Sequence, residues 1–132
     1  MDKQITGNVG LYYTCYMLSR KGWNVMPTAR NARGVDIVAY SQDGSRRFLI
    51  QVKALNKPNA VAMGQTAKNG TEADFWVIVT KAQETPPDVF VLASKQIEAL
   101  AYKEKDGSRW LPYKSYATDE FRERWDRIGE GK

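Results

Sequence analysis

Two short apolar segments, Gly34-Val35-Asp36-Ile37-Val38-Ala39-Tyr40 and Phe48-Leu49-Ile50-Gln51-Val52-Lys53, joined through Ser41-Gln42-Asp43-Gly44, decide how this chain is read. In the second segment Phe48, Ile50 and Val52 alternate strictly with Leu49, Gln51 and Lys53. On a strand of period two the amide and the amine therefore share a face. The Asp43-Gly44 step marks a hairpin connection that folds Asp36 back alongside them. An acid, an amide and an amine gathered on half-buried strands cost free energy unless they hydrogen bond, bind a metal or do chemistry. Taken singly, each also fits a structural role: Lys53 as a strand-end lysine reaching solvent, Gln51 as a satisfied core amide, Asp36 as a turn residue bonded to backbone amides. Together they form the candidate functional centre.

The chemistry open to that centre is narrowed by composition. A single cysteine, Cys15, and no histidine exclude a disulfide framework, the usual zinc sites, and any Cys-His or Ser-His catalytic pair. Any metal must be held by oxygen ligands, which suits Mg²⁺ or Mn²⁺. The 132 residues suit one domain spanning 1–132 and large enough to bury its own core. No stretch approaches the ~18 apolar residues of a membrane span, and the start lacks a signal-peptide pattern, so a cytoplasmic chain with no membrane partner is expected.

Charge is uneven along the chain. Between residues 20 and 57 the basic residues are Arg20, Lys21, Arg30, Arg33, Arg46, Arg47, Lys53 and Lys57, against Asp36 and Asp43, an excess of six in a chain whose net charge is +5. The positive excess surrounds the polar cluster, where it would attract a polyanion. Arg30, Arg33, Arg46, Arg47 and Lys57 are accordingly the candidate nucleic-acid contacts.

Elsewhere the pattern is α/β. Residues 6–21 read as a helix capped by Thr6 and stopped by Gly22, with Leu11, Cys15 and Leu18 at helical spacing. Residues 23–26 read as a first strand. The polar stretch 56–72 has no periodicity and reads as a mobile loop beside the site. Residues 75–80 and 89–92 read as central, buried strands. Ser94 is expected to cap a helix through Tyr102, and Thr118 a last helix whose stripe is Phe121, Trp125 and Ile128. A single domain with a central mixed β-sheet flanked by helices follows.

The order helix, strand, strand bearing Gly34-Val35-Asp36, strand bearing Gln51-Val52-Lys53 resembles the PD-(D/E)xK nuclease superfamily, the restriction-endonuclease-like fold, in the branch with glutamine in the (D/E)xK triplet. The resemblance covers residues 7–53, including Gly7-Asn8-Val9-Gly10 in the helix and Gly22-Trp23 after it. It implies Mg²⁺-dependent hydrolysis of a nucleic-acid phosphodiester, of DNA rather than RNA. It implies that Asp36, Gln51 and the Val52 carbonyl hold the metal, and that Lys53 orients or deprotonates the attacking water. Cutting both strands would need two copies, which a homodimer would supply. Members of the family often carry a glutamate after the glycine that matches Gly10, where this chain has Leu11. With Leu11 and Gln51 in place of acids, Asp36 is the one carboxylate placed in the pocket, and weak metal binding is expected. The alternative is a catalytically silent module that holds nucleic acid or occupies a partner protein's nucleic-acid groove. A structural subunit would instead use Tyr12, Tyr13 and Trp110 as an interface.

Overall fold

A computed structural model describes residues 2–28, 34–65 and 73–132. The first helix, α1, spans Lys3–Arg20. It begins ahead of Thr6 because Asp2 is the cap, its carboxylate accepting the Ile5 N–H at 3.0 Å. It ends as expected at Gly22, which adopts φ 92. The Gly22 N–H reaches the Ser19 carbonyl and the Trp23 N–H the Leu18 carbonyl, so the last orphan carbonyls are satisfied by a Schellman turn. The buried stripe of α1 is Thr6, Gly10, Thr14 and Leu18, with Leu11 and Cys15 only partly buried beside it. Small residues face the sheet because helix and strand lie very close: a Cβ on Gly10 would come 2.6 Å from the Ala54 Cβ.

Strands β1 (Asn24–Pro27), β2 (Ile37–Tyr40), β3 (Arg47–Ala54), β5 (Phe75–Thr80) and β6 (Asp88–Ala93) form a sheet ordered β1-β2-β3-β5-β6. Its β3–β5 pair is parallel and the others antiparallel, a mixed sheet as expected. A second sheet, ordered β4-β8-β7, joins β4 (Val61–Gln65), β7 (Tyr102–Lys103) and β8 (Ser108–Leu111).

Four further expectations are corrected. The stretch 56–72 is not all loop: Val61–Gln65 pairs with β8, and residues 66–72 lie outside the described residues. Strand β6 is at the edge of the sheet rather than central. Its apolar run is explained by cover on both faces and on its free edge, where the Val91 N–H reaches the Phe121 carbonyl and the Glu123 N–H the Val89 carbonyl. The helix α2 spans Ser94–Leu100 with Ala93 as cap residue, whose N–H is taken by the Gln96 side chain, while the Ser94 hydroxyl donates to the Ala73 carbonyl. Beyond the short α3 (Tyr113–Tyr116) the expected helix from Thr118 is replaced by turns and a 3₁₀ turn at Trp125–Arg127, because 121–123 is held along β6. Phe121, Trp125 and Ile128 are nonetheless buried.

Two cores result. Leu18, Trp23, Ile37, Ala39, Ile50, Val77 and Val79 pack between the sheet and α1. Val61, Met63, Trp76, Ile78, Phe90, Leu92 and Leu111 pack between the opposite face and the second sheet. The second core lies against β5 and β6. On that same face of β2 and β3, Val38, Tyr40 and Leu49 are only half-buried. Among the described residues, no helix is long and apolar enough to cross a membrane.

Candidate active site

Asp36 stands immediately before β2, where that strand begins its pairing with β3. Its N–H donates to the Ile50 carbonyl at 2.8 Å and its carbonyl accepts the Thr28 N–H at 2.9 Å. Its carboxylate accepts the Val52 N–H at 2.7 Å. That bond occupies a β3 amide lying beyond the last β2 pairing, Ile37 with Ile50, so the carboxylate takes the place of a missing strand partner.

Gln51 and Lys53 flank Val52 on β3, on the face opposite α1. Gln51 lies in register with Trp76 of β5, and the Lys53 Nζ is 6.0 Å from the centre of the Trp76 ring. Burial pushes the Lys53 amine below the ordinary lysine value, and the charge of Asp36 works against that fall. The two residues thus act on one another across β2 and β3, as their sequence pattern predicts. Gln51 Oε1 is buried and has no hydrogen-bond partner among the described residues, and the same holds for Trp76 Nε1. A buried acceptor left unpaired costs about 1–3 kcal/mol. The orphaned oxygen beside a carboxylate fits a hard divalent cation in the kind of donor it offers. In charge it is a poor set, since the described residues contain no group of three or more His, Cys, Asp or Glu able to hold a metal.

Leu11 does not approach this face; it packs against the core on the α1 side. The Asp74 carboxylate accepts the Leu49 N–H at 2.8 Å, two residues along β3 from Gln51. The basic candidates separate. Arg47 lies on the face of the cluster, lining a groove with Tyr40 and Leu49. Arg46 turns to the other side, its guanidinium 5.1 Å from the Trp23 ring, part of the α1-side core. Lys57 is exposed in the bend after β3, while Arg30 and Arg33 lie outside the described residues. Trp76, the floor under Lys53, was not legible in the sequence, because its place depends on the β3–β5 pairing. Its one signal was an aromatic residue in a buried strand.

No family model and no curated protein sequence matches the chain. Solved structures do. The chain is similar to the bacterial homing endonuclease I-Ssp6803I, with TM-score 0.64 and 18% identity over 98% of this chain and 94% of that one. It is also similar to Hjc, a Holliday junction resolvase of Archaeoglobus fulgidus, with TM-score 0.51 and 15% identity over 80% of this chain and 90% of that one. The chain shares the fold of these two structures, the restriction-endonuclease-like fold that its sequence led one to expect.

Proposed function

We propose that the chain is a divalent-metal-dependent nuclease acting on DNA, with Asp36, Gln51 and Lys53 as its working residues. The observation that carries this reading is one sheet face bearing a carboxylate, a buried unpaired amide oxygen and a half-buried amine whose proton is held less tightly than usual. A nuclease needs these three capacities together. Asp36, Gln51 and the Val52 carbonyl would hold Mg²⁺ or Mn²⁺, which would supply charge neutralisation at the scissile phosphate and a more acidic water.

The remaining work falls to the chain. Asp36 is pinned by the Val52 amide, so its free energy of ordering is met before substrate arrives. The Lys53 amine lies 6.0 Å from the centre of the Trp76 ring, within reach of a cation–π attraction that helps hold it in place. Its lowered proton affinity suits it to orient the attacking water and take its proton. Arg47 and Lys57 would contact flanking phosphates. Two copies of the chain would be needed to cut both strands of a duplex.

A second reading has its own observation. Among the described residues no group of three or more acids gathers at the cluster, so a silent member that only binds nucleic acid follows if metal affinity is too low. Incubation with linear, nicked and branched DNA, and with RNA, in Mg²⁺ or Mn²⁺ decides between them. Cleavage lost in Asp36→Ala supports the nuclease. Salt-sensitive binding without cleavage in either metal supports the silent module.

A further inference from the structure

We propose that the open face of β1, β2 and β3 beside the cluster binds an unpaired stretch of the DNA strand, a substrate feature that rests on the nucleic-acid reading above. A groove of about 820 Å³ lies there, lined by Met26, Val38, Tyr40, Gly44, Ser45, Arg47 and Leu49. Its size is that of a site for a drug-sized ligand, large enough for a nucleotide.

The groove is continuous with the cluster. Alternation along β2 puts Val38 and Tyr40 on the face that Asp36 leads into, and along β3 it puts Arg47 and Leu49 on the face of Gln51 and Lys53. At ~3.4 Å per strand residue, Leu49 is about 7 Å from Gln51 and Arg47 about 20 Å from Lys53. A strand whose phosphate sits at Asp36 therefore runs on over Leu49 and Tyr40 towards Arg47.

The chemistry of the lining selects the occupant. Much of the rest of the sheet is covered: α1 closes the far face, where Ile37, Ala39 and Ile50 are fully buried, and the second sheet closes the near face of β5 and β6. Here Val38, Tyr40 and Leu49 stay half-buried and Met26 is 49% exposed. The outside of a duplex offers phosphate and sugar, which gain little from an apolar floor. Unpaired bases offer flat apolar faces, and binding by stacking on an aromatic ring with a cation for the backbone is how single strands are held. Tyr40 supplies the ring and Arg47 the cation, and among the described residues no acidic one lines the groove.

The test measures binding by fluorescence anisotropy in EDTA, where no cleavage intervenes. The probes are labelled DNA as a single strand, a blunt duplex of the same sequence, and a forked duplex with two unpaired arms. Single strand and fork are expected to bind at least about tenfold tighter than the blunt duplex, the size of one stacked base. Tyr40→Ala should remove that preference and leave duplex binding unchanged. Met26→Asp, at a position exposed enough not to disturb folding, should do the same by placing a carboxylate in the groove, with thermal melts confirming that both variants fold. Equal affinity for fork and duplex, or a preference that survives both variants, overturns the groove and leaves the nuclease reading standing. Binding to none of the three overturns both. A change of oligomeric state in Tyr40→Ala, seen by sedimentation, overturns the groove as a DNA site and makes it an interface between copies of the chain.

Discussion

The carboxylate of Asp36 and the backbone N–H of Val52 are joined at 2.7 Å, which ties the candidate metal ligand to the strand that carries Gln51 and Lys53. Asp36→Asn keeps an acceptor for that N–H, so stability should change by less than about 1 kcal/mol while metal-dependent cleavage is lost. Asp36→Ala leaves the amide unpaired and should cost about 1–3 kcal/mol as well. Urea melts and cleavage assays on the pair separate the two effects. Full cleavage by Asp36→Asn would place the chemistry elsewhere.

Lys53 is held below its ordinary value by burial, against the pull of Asp36. The folded state thus releases this proton at lower pH than the unfolded chain. Between the folded value and the unfolded value near ~10.4 the unfolded chain binds more protons, so this group makes stability rise with pH across that window. Below it, the desolvated charge is a standing cost. Lys53→Met should abolish cleavage while leaving the melting temperature equal or higher at neutral pH, and the alkaline rise should flatten. A large drop in melting temperature would show that the ammonium is stabilising.

Gln51→Glu adds a charged oxygen where an unpaired one already lies. Calorimetry should show tighter Mg²⁺ binding, and the metal-free variant should lose about 1–3 kcal/mol because its two carboxylates repel. Added Mg²⁺ should return part of that loss. Leu11→Glu should behave differently, since its side chain packs on the α1-side core. Its loss of stability should be insensitive to Mg²⁺; relief by the metal would mean that α1 reaches the site after all.

Gly10 and Gly7 make an internal comparison within α1. A Cβ at Gly10 meets Ala54 at 2.6 Å, whereas at Gly7 it meets nothing within 4 Å. Gly10→Ala should cost about 1–3 kcal/mol by overpacking. Gly7→Ala should add about 0.5–1 kcal/mol from helix propensity. Equal effects in thermal melts would contradict the close crossing of α1 over β3.

Arg47 and Arg46 point to opposite sides of the sheet. Arg47→Ala should weaken DNA binding and reduce the slope of log affinity against log salt by about one, while Arg46→Ala leaves the slope unchanged. The reverse result would move the DNA to the α1 side.

Local rules made much of this protein readable. The alternation from Phe48 to Lys53 and the turn at Asp43-Gly44 are properties of a few neighbouring residues, so the β2–β3 hairpin and the shared face of Gln51 and Lys53 followed from the sequence. The stop of α1 at Gly22 was local in the same way. What lay beyond reach depended on partners distant in sequence. Val61–Gln65 looks like loop because its strand exists only through pairing with Ser108–Leu111. The segment after Thr118 carries a helical stripe, yet the free edge of β6 takes its backbone at Phe121 and Glu123. Trp76 comes under Lys53 only through the parallel β3–β5 pairing. By itself, the sequence determined that Asp36, Gln51 and Lys53 come together on one sheet face, because strand period and turn chemistry are local; the tertiary structure decided which basic residues join that face, what floors it, which face α1 covers and which face stays open, because those are settled by long-range packing.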